Sequence, residues 1–324
     1  MGVLSLVLQS SGTDASLRGV SAVNDRVVWA SGTNGTVLRT TDGGSSWHVL
    51  KVAEGLDFRG VHAIDEKTAW ILSSGPGDKS RIFKTADAGA QWVLQYTNQD
   101  PKGFFDAIAF WDAAQGIVLG DPVDGEFVIM TTEDGGATWA RQSGPPALPN
   151  EGAFAASNTC LVVRGSATVW FGTGGARVFR SDDRGRTWTV APTPIRHDSA
   201  SAGVFSLAFS DHQYGIAVGG DYSMPTDNKL NIAITSNGGR TWSAPTGVRP
   251  NGYRSAVLFL PRRHAWIATG TNGTDISVDN GRNWKPFDTA SYNAMSAAGR
   301  VAWAVGSKGR IARLETEKDD VHQH

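Results

Sequence analysis

The sequence predicts an all-β protein, a seven-bladed β-propeller built from four-stranded antiparallel blades. Three observations indicate this fold: a motif that recurs every 42 to 54 residues, 39 glycines among 324 residues, and a partial repeat after the last copy of the motif. A period of about 40–50 residues is typical of one four-stranded propeller blade. Frequent glycine suits short strands that are joined by tight turns.

The recurring motif is Ser/Thr-x-Asp-x-Gly-x-x-Trp, and we call its six copies the repeat turns. They begin at Thr40, Thr85, Thr132, Ser181, Thr235 and Ser277. The fifth copy has Asn237 in place of aspartate. Each copy fits the hairpin between the third and fourth strands of a blade, because the carboxylate accepts hydrogen bonds from turn amides and glycine adopts positive φ. Only one acidic position recurs, too few for a calcium loop, so we interpret the repeat turns as structural and expect no metal.

A seventh blade follows from the two ends of the chain. Residues 302–306 repeat the second-strand pattern seen at 28–32, but no repeat turn follows them. Residues 3–9 form an apolar segment that precedes the first blade. We predict that this N-terminal strand completes the C-terminal blade, which closes the ring and removes its free edges. Residues 1–314 then form a single propeller, and residues 315–324 form a flexible tail.

Composition excludes several classes of protein. Thirty basic and 31 acidic residues give a net charge of −1, which weighs against a nucleic-acid partner. The single cysteine, Cys160, cannot form an intrachain disulfide. No run of 18 apolar residues occurs, so we expect no transmembrane segment. No phosphate-binding glycine loop and no HExxH or GxSxG motif is present, so we expect no cofactor.

Location and assembly follow from weaker signals. Residues 1–8 have no basic region before their apolar stretch, so they predict a strand in preference to a signal peptide. We therefore expect a periplasmic or extracellular protein if a signal segment has been removed, and a cytoplasmic protein otherwise. We also expect a monomer.

The repeat turns are similar to the Asp-box, or bacterial neuraminidase repeat, of sialidases and sortilin-like receptors. The phrase GTNGTVLRTTDGG at residues 32–44, which recurs in variant form down the chain, resembles the photosystem II stability/assembly factor family and its bacterial relatives. The resemblance covers roughly residues 3–314. It implies a non-catalytic scaffold that holds a protein partner outside the cytoplasm. The shared residues are structural, so the resemblance is more specific for fold than for function.

Binding loops are expected on the face opposite the repeat turns. That face carries the loops between second and third strands and the links between blades, and loops of this kind commonly bind ligands. Two of these loops, residues 120–127 and 219–229, are longer than their counterparts. We predict that they cover the channel mouth or bind a ligand, with Asp121, Asp221 and Tyr222 on the rim.

The innermost strands repeat a bulky residue followed by a polar one. The polar residues are Arg18, Arg59, Asp106, Arg254 and Asn293, and Glu151 falls near the same place in the fourth blade. If these side chains point into the central channel, three arginines and two carboxylates converge there. Such a cluster suits a carboxylate-bearing or other anionic ligand through bidentate pairing. An internal network of ion pairs lining a wet channel is the other interpretation, and both remain open.

Two functions compete at this stage. The first is a binding scaffold for a protein or glycan partner. The second is a carbohydrate-active glycoside hydrolase or lyase, similar to the sialidases, with its carboxylates at the channel mouth. The catalytic candidates would be Asp121, Glu126, Glu151 and Asp221. Sialidases have six blades and an early Arg-Ile-Pro motif, and this sequence has neither, so we favour the scaffold.

Overall fold

The computed structural model describes residues 4–316 and contains 27 strands. They are β1 (Leu4–Gln9), β2 (Leu17–Ala22), β3 (Val28–Gly32), β4 (Thr36–Thr40), β5 (His48–Lys51), β6 (Phe58–Ala63), β7 (Ala69–Ser73), β8 (Arg81–Thr85), β9 (Val93–Thr97), β10 (Phe105–Phe110), β11 (Gly116–Val123), β12 (Glu126–Thr132), β13 (Ala140–Gln142), β14 (Leu161–Arg164), β15 (Thr168–Gly172), β16 (Arg177–Ser181), β17 (Thr189–Pro192), β18 (Ala202–Phe209), β19 (Gly215–Asp221), β20 (Ile232–Thr235), β21 (Ala256–Leu260), β22 (Ala265–Gly270), β23 (Gly273–Ser277), β24 (Lys285–Asp288), β25 (Ala294–Ala298), β26 (Val301–Val305) and β27 (Ile311–Thr316). Two short 3-10 helices span Gly77–Lys79 and Pro261–Arg263.

The strands form seven antiparallel sheets, one per blade, within residues 4–316. Blades one to four are β2–β5, β6–β9, β10–β13 and β14–β17, blade five is β18–β20, blade six is β21–β24, and blade seven is β25–β27 with β1. Six sheets have four strands. Blade five has three, and an isolated antiparallel β-bridge between Ile234 and Ser243 takes the place of its fourth strand. The predicted all-β, seven-bladed propeller is confirmed.

The N-terminal strand closes the ring as predicted. Strand β1 pairs antiparallel with β27 from Leu4 opposite Thr316 to Gln9 opposite Ile311. The last strand therefore runs two residues past the predicted boundary at 314, and residues 315–316 belong to blade seven. The remainder of the predicted tail, 317–324, and residue 3 of the predicted N-terminal strand lie outside the described residues.

Gln9 fastens this closing strand to the first repeat turn. Its side-chain Nε2 donates to Gly43 O at 3.0 Å, and its Oε1 accepts from Trp47 Nε1 at 3.1 Å. Blade seven is thereby joined to blade one by side-chain hydrogen bonds as well as by packing.

The core of the described chain is divided into seven clusters that lie mainly between neighbouring blades. Tryptophans of the second strands fill five of them and are fully buried: Trp29, Trp70, Trp170, Trp266 and Trp303. Trp70 Nε1 donates to Gly135 O at 3.0 Å, and Trp170 Nε1 donates to Gly238 O at 2.8 Å. These bonds cross from a second strand to the repeat turn of the next blade, so the repeat turns help to hold adjacent blades together.

The repeat turns are internally hydrogen-bonded, as the copy at Thr132 illustrates. Asp134 accepts the Thr138 N–H at 2.9 Å and the Thr138 hydroxyl at 2.7 Å, while the Thr132 hydroxyl accepts the Gly136 N–H at 2.8 Å. Gly135 and Gly136 have φ of 69° and 87°, values that L-residues rarely adopt. Hydrogen bonds from the Thr138 side chain and backbone lower the pKa of Asp134 to about 2. The carboxylate is therefore committed to the turn.

The fifth repeat turn keeps the same geometry with asparagine. Asn237 Oδ1 accepts the Thr241 N–H at 3.0 Å, and its Nδ2 donates to the Thr241 hydroxyl at 2.8 Å. Because a neutral amide can replace the carboxylate, the turn does not depend on a charge at this position. A structural role is therefore favoured over cation binding.

Candidate functional site

In four of the seven blades, a bulge at the start of the innermost strand leaves one residue that borders the centre of the ring. The strand register shifts between Leu17 and Gly19 in blade one, and the extra residue is Arg18. A β-bulge leaves its extra residue out of the ladder and re-aims its side chain. Equivalent shifts leave Arg59, Asp106 and Phe205 as the extra residues of blades two, three and five.

These residues bound one cavity of about 480 Å³, which we call the channel-mouth cavity. Its walls include Arg18, Arg59, Asp106, Asp121, Tyr222 and Tyr253. Asp121 lies near the end of the second strand β11, and Tyr222 follows the second strand β19. The repeat turns instead follow the third strands, so in antiparallel blades the cavity lies on the opposite face, where binding loops were expected.

Two arginines form the basic wall of the cavity. Arg59 Nε donates to Asp57 Oδ2 at 2.7 Å, and Arg59 NH1 donates to Ala155 O at 3.3 Å. Arg18 has no direct hydrogen bond or ion pair among residues 4–316, and its Nε is buried without a partner. Burial and the charge of Arg59 lower the pKa of Arg18, which Asp57 only partly offsets. Arg18 thus presents a poorly compensated positive charge to the cavity.

Asp106 forms an acidic wall together with Asp121. Asp106 is fully buried, and neither of its carboxyl oxygens has a hydrogen-bond partner among the described residues. The backbone N–H of Asp121 lies near Asp106 but donates its hydrogen bond to Phe104 O at 2.9 Å. It therefore stabilises the charged form of Asp106 only slightly. Burial and the charge of Asp121 raise the pKa of Asp106 well above its usual range, against the opposing effect of Arg59. Burial without a hydrogen-bond partner therefore favours the protonated form of Asp106.

Asp121 has a better-satisfied carboxyl group. Its Oδ1 accepts the Ala153 N–H at 2.8 Å. Burial raises the pKa of Asp121, and this hydrogen bond opposes the rise. Asp121 lies in the segment 120–127, which was predicted to be a long loop. In the structure this segment extends β11 and β12 into a longer hairpin. Its two-residue turn consists of Asp124 and Gly125, both at positive φ.

An aromatic wall stands on the side of blades four to six. Phe154 stacks on Phe205 with ring centroids 3.7 Å apart and planes at 14°. Phe205 meets Tyr253 edge-on at 4.8 Å, and Tyr253 meets Tyr222 at 6.4 Å. Tyr222 keeps 53% of its surface exposed, so this wall continues to the rim of the cavity. Exposed aromatic surface beside charged groups is typical of a binding site.

The sequence prediction missed Phe154 and Phe205. A positional signal exists for Phe205, because it precedes Gly219 by fourteen residues, the same spacing that separates Arg18 from Gly32 and Asp106 from Gly120. Phe205 is aromatic, so it does not belong to the pattern of polar residues from which the channel lining was predicted. Phe154 lies in the irregular link before β14, where no such spacing applies.

Arg254 does not face the channel, which corrects the prediction for blade six. Gly32 and Gly270 are equivalent, because each ends the second strand of its blade. A Cβ added to Gly32 would lie 3.0 Å from Leu17 Cα, and a Cβ added to Gly270 would lie 3.3 Å from Arg254 Cα. Arg254 therefore corresponds to Leu17 and not to Arg18. Its side chain is buried in an ion pair with Asp275, and the next residue, Ser255, lines the cavity instead.

Glu151 is also absent from the cavity wall. It is paired with Arg177, whose Nε lies 3.0 Å from Glu151 Oε1, and the Leu148 N–H and Thr173 hydroxyl also donate to it. Burial opposes ionisation, but these hydrogen bonds outweigh it and lower the pKa of Glu151. Glu151 lies in the link before blade four, ten residues before the innermost strand begins at Leu161. Its ion pair with Arg177 joins this link to β16 of blade four.

The two remaining carboxylate candidates lie apart from the cavity wall. Asp221 is buried at the end of β19 and accepts hydrogen bonds from Ser199 at 2.8 Å and Ser223 at 2.6 Å. These bonds lower its pKa despite burial. Glu126 is exposed beside the tip of the β11–β12 hairpin. Asp121 therefore pairs with neither of them, and its carboxyl neighbour is Asp106.

Neither a metal cluster nor a membrane-spanning helix is found in the described part of the chain. Within residues 4–316, no three His, Cys, Asp or Glu side chains converge as metal ligands. Over the same residues, no helix has the length and apolar character needed to cross a bilayer. Cys160, next to Asp106, is buried, and burial raises the pKa of its thiol.

Comparison with known proteins identifies relatives of the fold. No family model matches the sequence, and no curated protein matches it. The structure is similar to YCF48 bound to D1 peptide, with a TM-score of 0.68 and 16% identity over 98% of both chains. It is also similar to YCF48 from Cyanidioschyzon merolae, with a TM-score of 0.66 and 16% identity over 97% of this chain and 99% of that one. The WD40 β-propeller domain of Doa1 is similar too, with a TM-score of 0.65 and 13% identity over 97% of this chain and 98% of that one. At these identities the similarity shows a shared propeller fold.

Proposed function

We propose that this protein is a non-catalytic binding scaffold that holds a segment of a protein partner in the channel-mouth cavity. The observation that carries the proposal is the pair of unmet polar groups there, Arg18 and Asp106. A buried polar group without a partner costs free energy that a bound ligand can recover. Such groups are therefore expected at a site that is completed by binding.

The aromatic wall supports a polypeptide partner. Tyr222 offers exposed aromatic surface at the rim, and the buried rings of Phe205 and Tyr253 border the cavity behind it. Aromatic and arginine side chains contribute a large share of binding energy at protein interfaces. A peptide that inserts one side chain can meet this wall and Arg18 together.

The structural comparison supports the same choice. One similar structure, at 16% identity, is YCF48 bound to a D1 peptide, so another propeller of this fold binds a peptide. We extend peptide binding, and a role similar to that of an assembly factor, to this chain as part of the proposal. We also interpret the repeat turns as Asp-boxes with a scaffold role, because their hydrogen bonds are satisfied within the turn.

A peptide array tests the proposal. The wild-type chain, the variant Arg18→Met and the control Arg240→Met are each applied to an array of 15-residue peptides. Arg240 is exposed in the fifth repeat turn, on the opposite face. We expect the wild type and the control to retain the same subset of peptides and Arg18→Met to lose it. Retention of that subset by Arg18→Met, or no binding by the wild type, would overturn the proposal.

A hydrolase or lyase is the second candidate, and one observation favours it. Asp106 and Asp121 are neighbouring carboxyl groups in the cavity, and the pKa of each is raised mainly by burial. Neutral and charged carboxyl groups side by side are used in glycoside cleavage. Turnover of any glycan in a substrate screen, abolished by Asp121→Asn but not by Asp25→Asn on the opposite face, would favour this function over the scaffold.

A further inference from the structure

The channel-mouth cavity contains two unmet groups of different character on separate walls. Arg18 is a cation with no direct partner, and Asp106 is a buried acid whose two oxygens lack partners. No hydrogen bond or ion pair joins the two side chains, although both border the same cavity. One ligand that satisfies both must carry an acceptor for Arg18 and a donor for Asp106 at separate positions.

The order of the blades gives the cavity a polarity. Arg18 and Arg59 stand on blades one and two, Asp106 and Asp121 stand on blade three, and the aromatic residues stand on blades four to six. The basic and acidic walls are adjacent, and the aromatic wall completes the ring between the acidic wall and Arg18, which Tyr253 faces. A ligand that fits this order has its two charged groups close together and an apolar side chain beside them.

We propose that the channel-mouth cavity binds a small apolar zwitterion, either a free amino acid or a short peptide whose amino and carboxyl termini are both free. The carboxylate pairs with Arg18, the ammonium donates to Asp106, and the side chain packs on Phe205 and Tyr253. This proposal rests on the proposed function, because both use the same cavity. The volume of about 480 Å³ lies within the range of small-ligand pockets, roughly 300–1,000 Å³.

Simpler ligands leave part of the site unsatisfied. An anion alone, such as inorganic phosphate, would pair with Arg18 but leave Asp106 without a partner. A cation alone would meet the unpaired charge of Arg18 in the same cavity. Only a zwitterion satisfies both walls without adding net charge to a partly buried site.

Protonation of Asp106 links binding to pH. The groups that face Asp106 are Asp121 on β11, Arg59 on β6 and Cys160 before β14. Asp121 raises the pKa of Asp106 and Arg59 lowers it, while burial keeps the Cys160 thiol neutral. An ammonium group placed against Asp106 favours its charged form. Binding therefore ionises Asp106 and releases a proton to the buffer.

Isothermal titration calorimetry on the full chain tests the ligand class. The probes are L-phenylalanine, its N-acetyl derivative, its amide, the dipeptide Phe-Phe and inorganic phosphate. We expect L-phenylalanine or the dipeptide to bind and each blocked derivative to bind at least tenfold more weakly. Preference for the dipeptide identifies a peptide source, and preference for the free amino acid identifies a metabolite. Equal binding of the blocked derivatives, binding of phosphate alone, or binding of none of these probes would overturn the proposal.

Matched variants test the contact with Asp106. Asp106→Asn is neutral and isosteric with the protonated acid, so it preserves the fold while removing the ionisable group. In the wild type, the binding enthalpy should vary with the ionisation enthalpy of the buffer as expected for proton release, and in Asp106→Asn this dependence should vanish. Asp25→Asn and Arg240→Met, on the opposite face, should bind as the wild type does. Undiminished proton release by Asp106→Asn would contradict the proposed contact.

The two proposals fail in distinguishable ways. If the array peptides bind through Arg18 but none of the zwitterionic probes binds or competes with them, the ligand class is wrong and the scaffold function stands. If the zwitterions bind but no array peptide does, the protein-partner function is wrong.

Discussion

Arg254 Nε donates to Asp275 Oδ2 across 2.8 Å, and both side chains are buried inside blade six. Asp275 also accepts the Asn251 N–H at 2.9 Å, while Arg254 donates to Asn272 Oδ1 at 2.5 Å. Burial lowers the pKa of Arg254, and the charge of Asp275 opposes this. The pair joins the start of the innermost strand to the third strand, so its role is structural.

Loss of one partner of this pair should destabilise the fold strongly. Asp275→Ala leaves the Arg254 charge buried and uncompensated, so we expect the free energy of unfolding to fall by about 3–5 kcal/mol. Chemical denaturation measures it. The double replacement Arg254→Met with Asp275→Leu, which removes both charges, should recover most of the loss. A loss below ~1 kcal/mol in the single variant would show that the pair is not a buried ion pair in solution.

The interblade tryptophan hydrogen bond can be isolated with two matched variants. Trp170 and Trp303 are both fully buried and both carry an arginine over the ring, Arg180 at 5.8 Å and Arg313 at 5.6 Å. Trp170 Nε1 donates to Gly238 O, whereas Trp303 Nε1 has no hydrogen-bond acceptor among the described residues. We therefore expect Trp170→Phe to cost about 1 kcal/mol more than Trp303→Phe in thermal or chemical unfolding. Equal losses would assign the whole effect to ring packing.

The repeat turns should make the protein sensitive to acid. The pKa of Asp134 is about 2 in the folded chain, against about 3.9 in an unfolded one, so the folded state binds fewer protons between these values. Its stabilising contribution is present above pH ~4 and is lost as the pH falls toward ~2. Melting temperatures measured from pH 5 to 2 should fall. Asp134→Asn should fold, because Asn237 keeps the hydrogen bonds of the fifth repeat turn. Its melting temperature should fall less steeply with pH than that of the wild type. An equally steep fall would show that Asp134 does not cause the acid sensitivity.

Removal of the closing strand should weaken the whole ring. A chain lacking residues 1–9 loses β1 and exposes the edge of β27 along its length. We expect the melting temperature to fall by roughly 10 °C and the chain to associate through the open edge, as measured by differential scanning fluorimetry and size-exclusion chromatography. Gln9→Ala keeps the strand and removes only the bonds to Gly43 and Trp47, so its effect should be much smaller. If the shortened chain melted at the same temperature as the full chain, pairing of β1 with β27 would not stabilise the ring.

The blade architecture could be predicted from sequence because its signals recur. The spacing of the repeat turns indicated six blades, and the segments at the two ends of the chain indicated the seventh blade and the closure of the ring. Register within a strand was harder, because one residue decides which way a side chain faces. The pair Tyr253–Arg254 matches the bulky–polar pattern of Leu17–Arg18, yet the structure aligns Arg254 with Leu17 and turns it away from the channel.

Much of the cavity lining could be predicted from the sequence, because the innermost and second strands repeat from blade to blade. Asn293 of blade seven, and Asp121 and Tyr222 at the ends of second strands, line the cavity as predicted. Arg18, Arg59 and Asp106 lie in the cavity as the pattern indicated. Glu151 and Phe154 lie in the irregular link before β14, and no periodicity in the sequence fixes the path of such a link. Asp221 stands near the predicted rim, but serine hydroxyl groups satisfy it locally. Local hydrogen bonds of this kind are invisible until the loop path is known.

The proposed function requires a partner that is held at the channel mouth by Arg18, Asp106 and the aromatic wall. A crystal structure of the chain with the tightest peptide from the array tests it most directly. We predict peptide atoms within about 3 Å of the Arg18 guanidinium and the Asp106 carboxyl, with an apolar side chain against Phe205. A peptide bound on the face of the repeat turns or along a blade edge, with the channel-mouth cavity empty, would contradict the account.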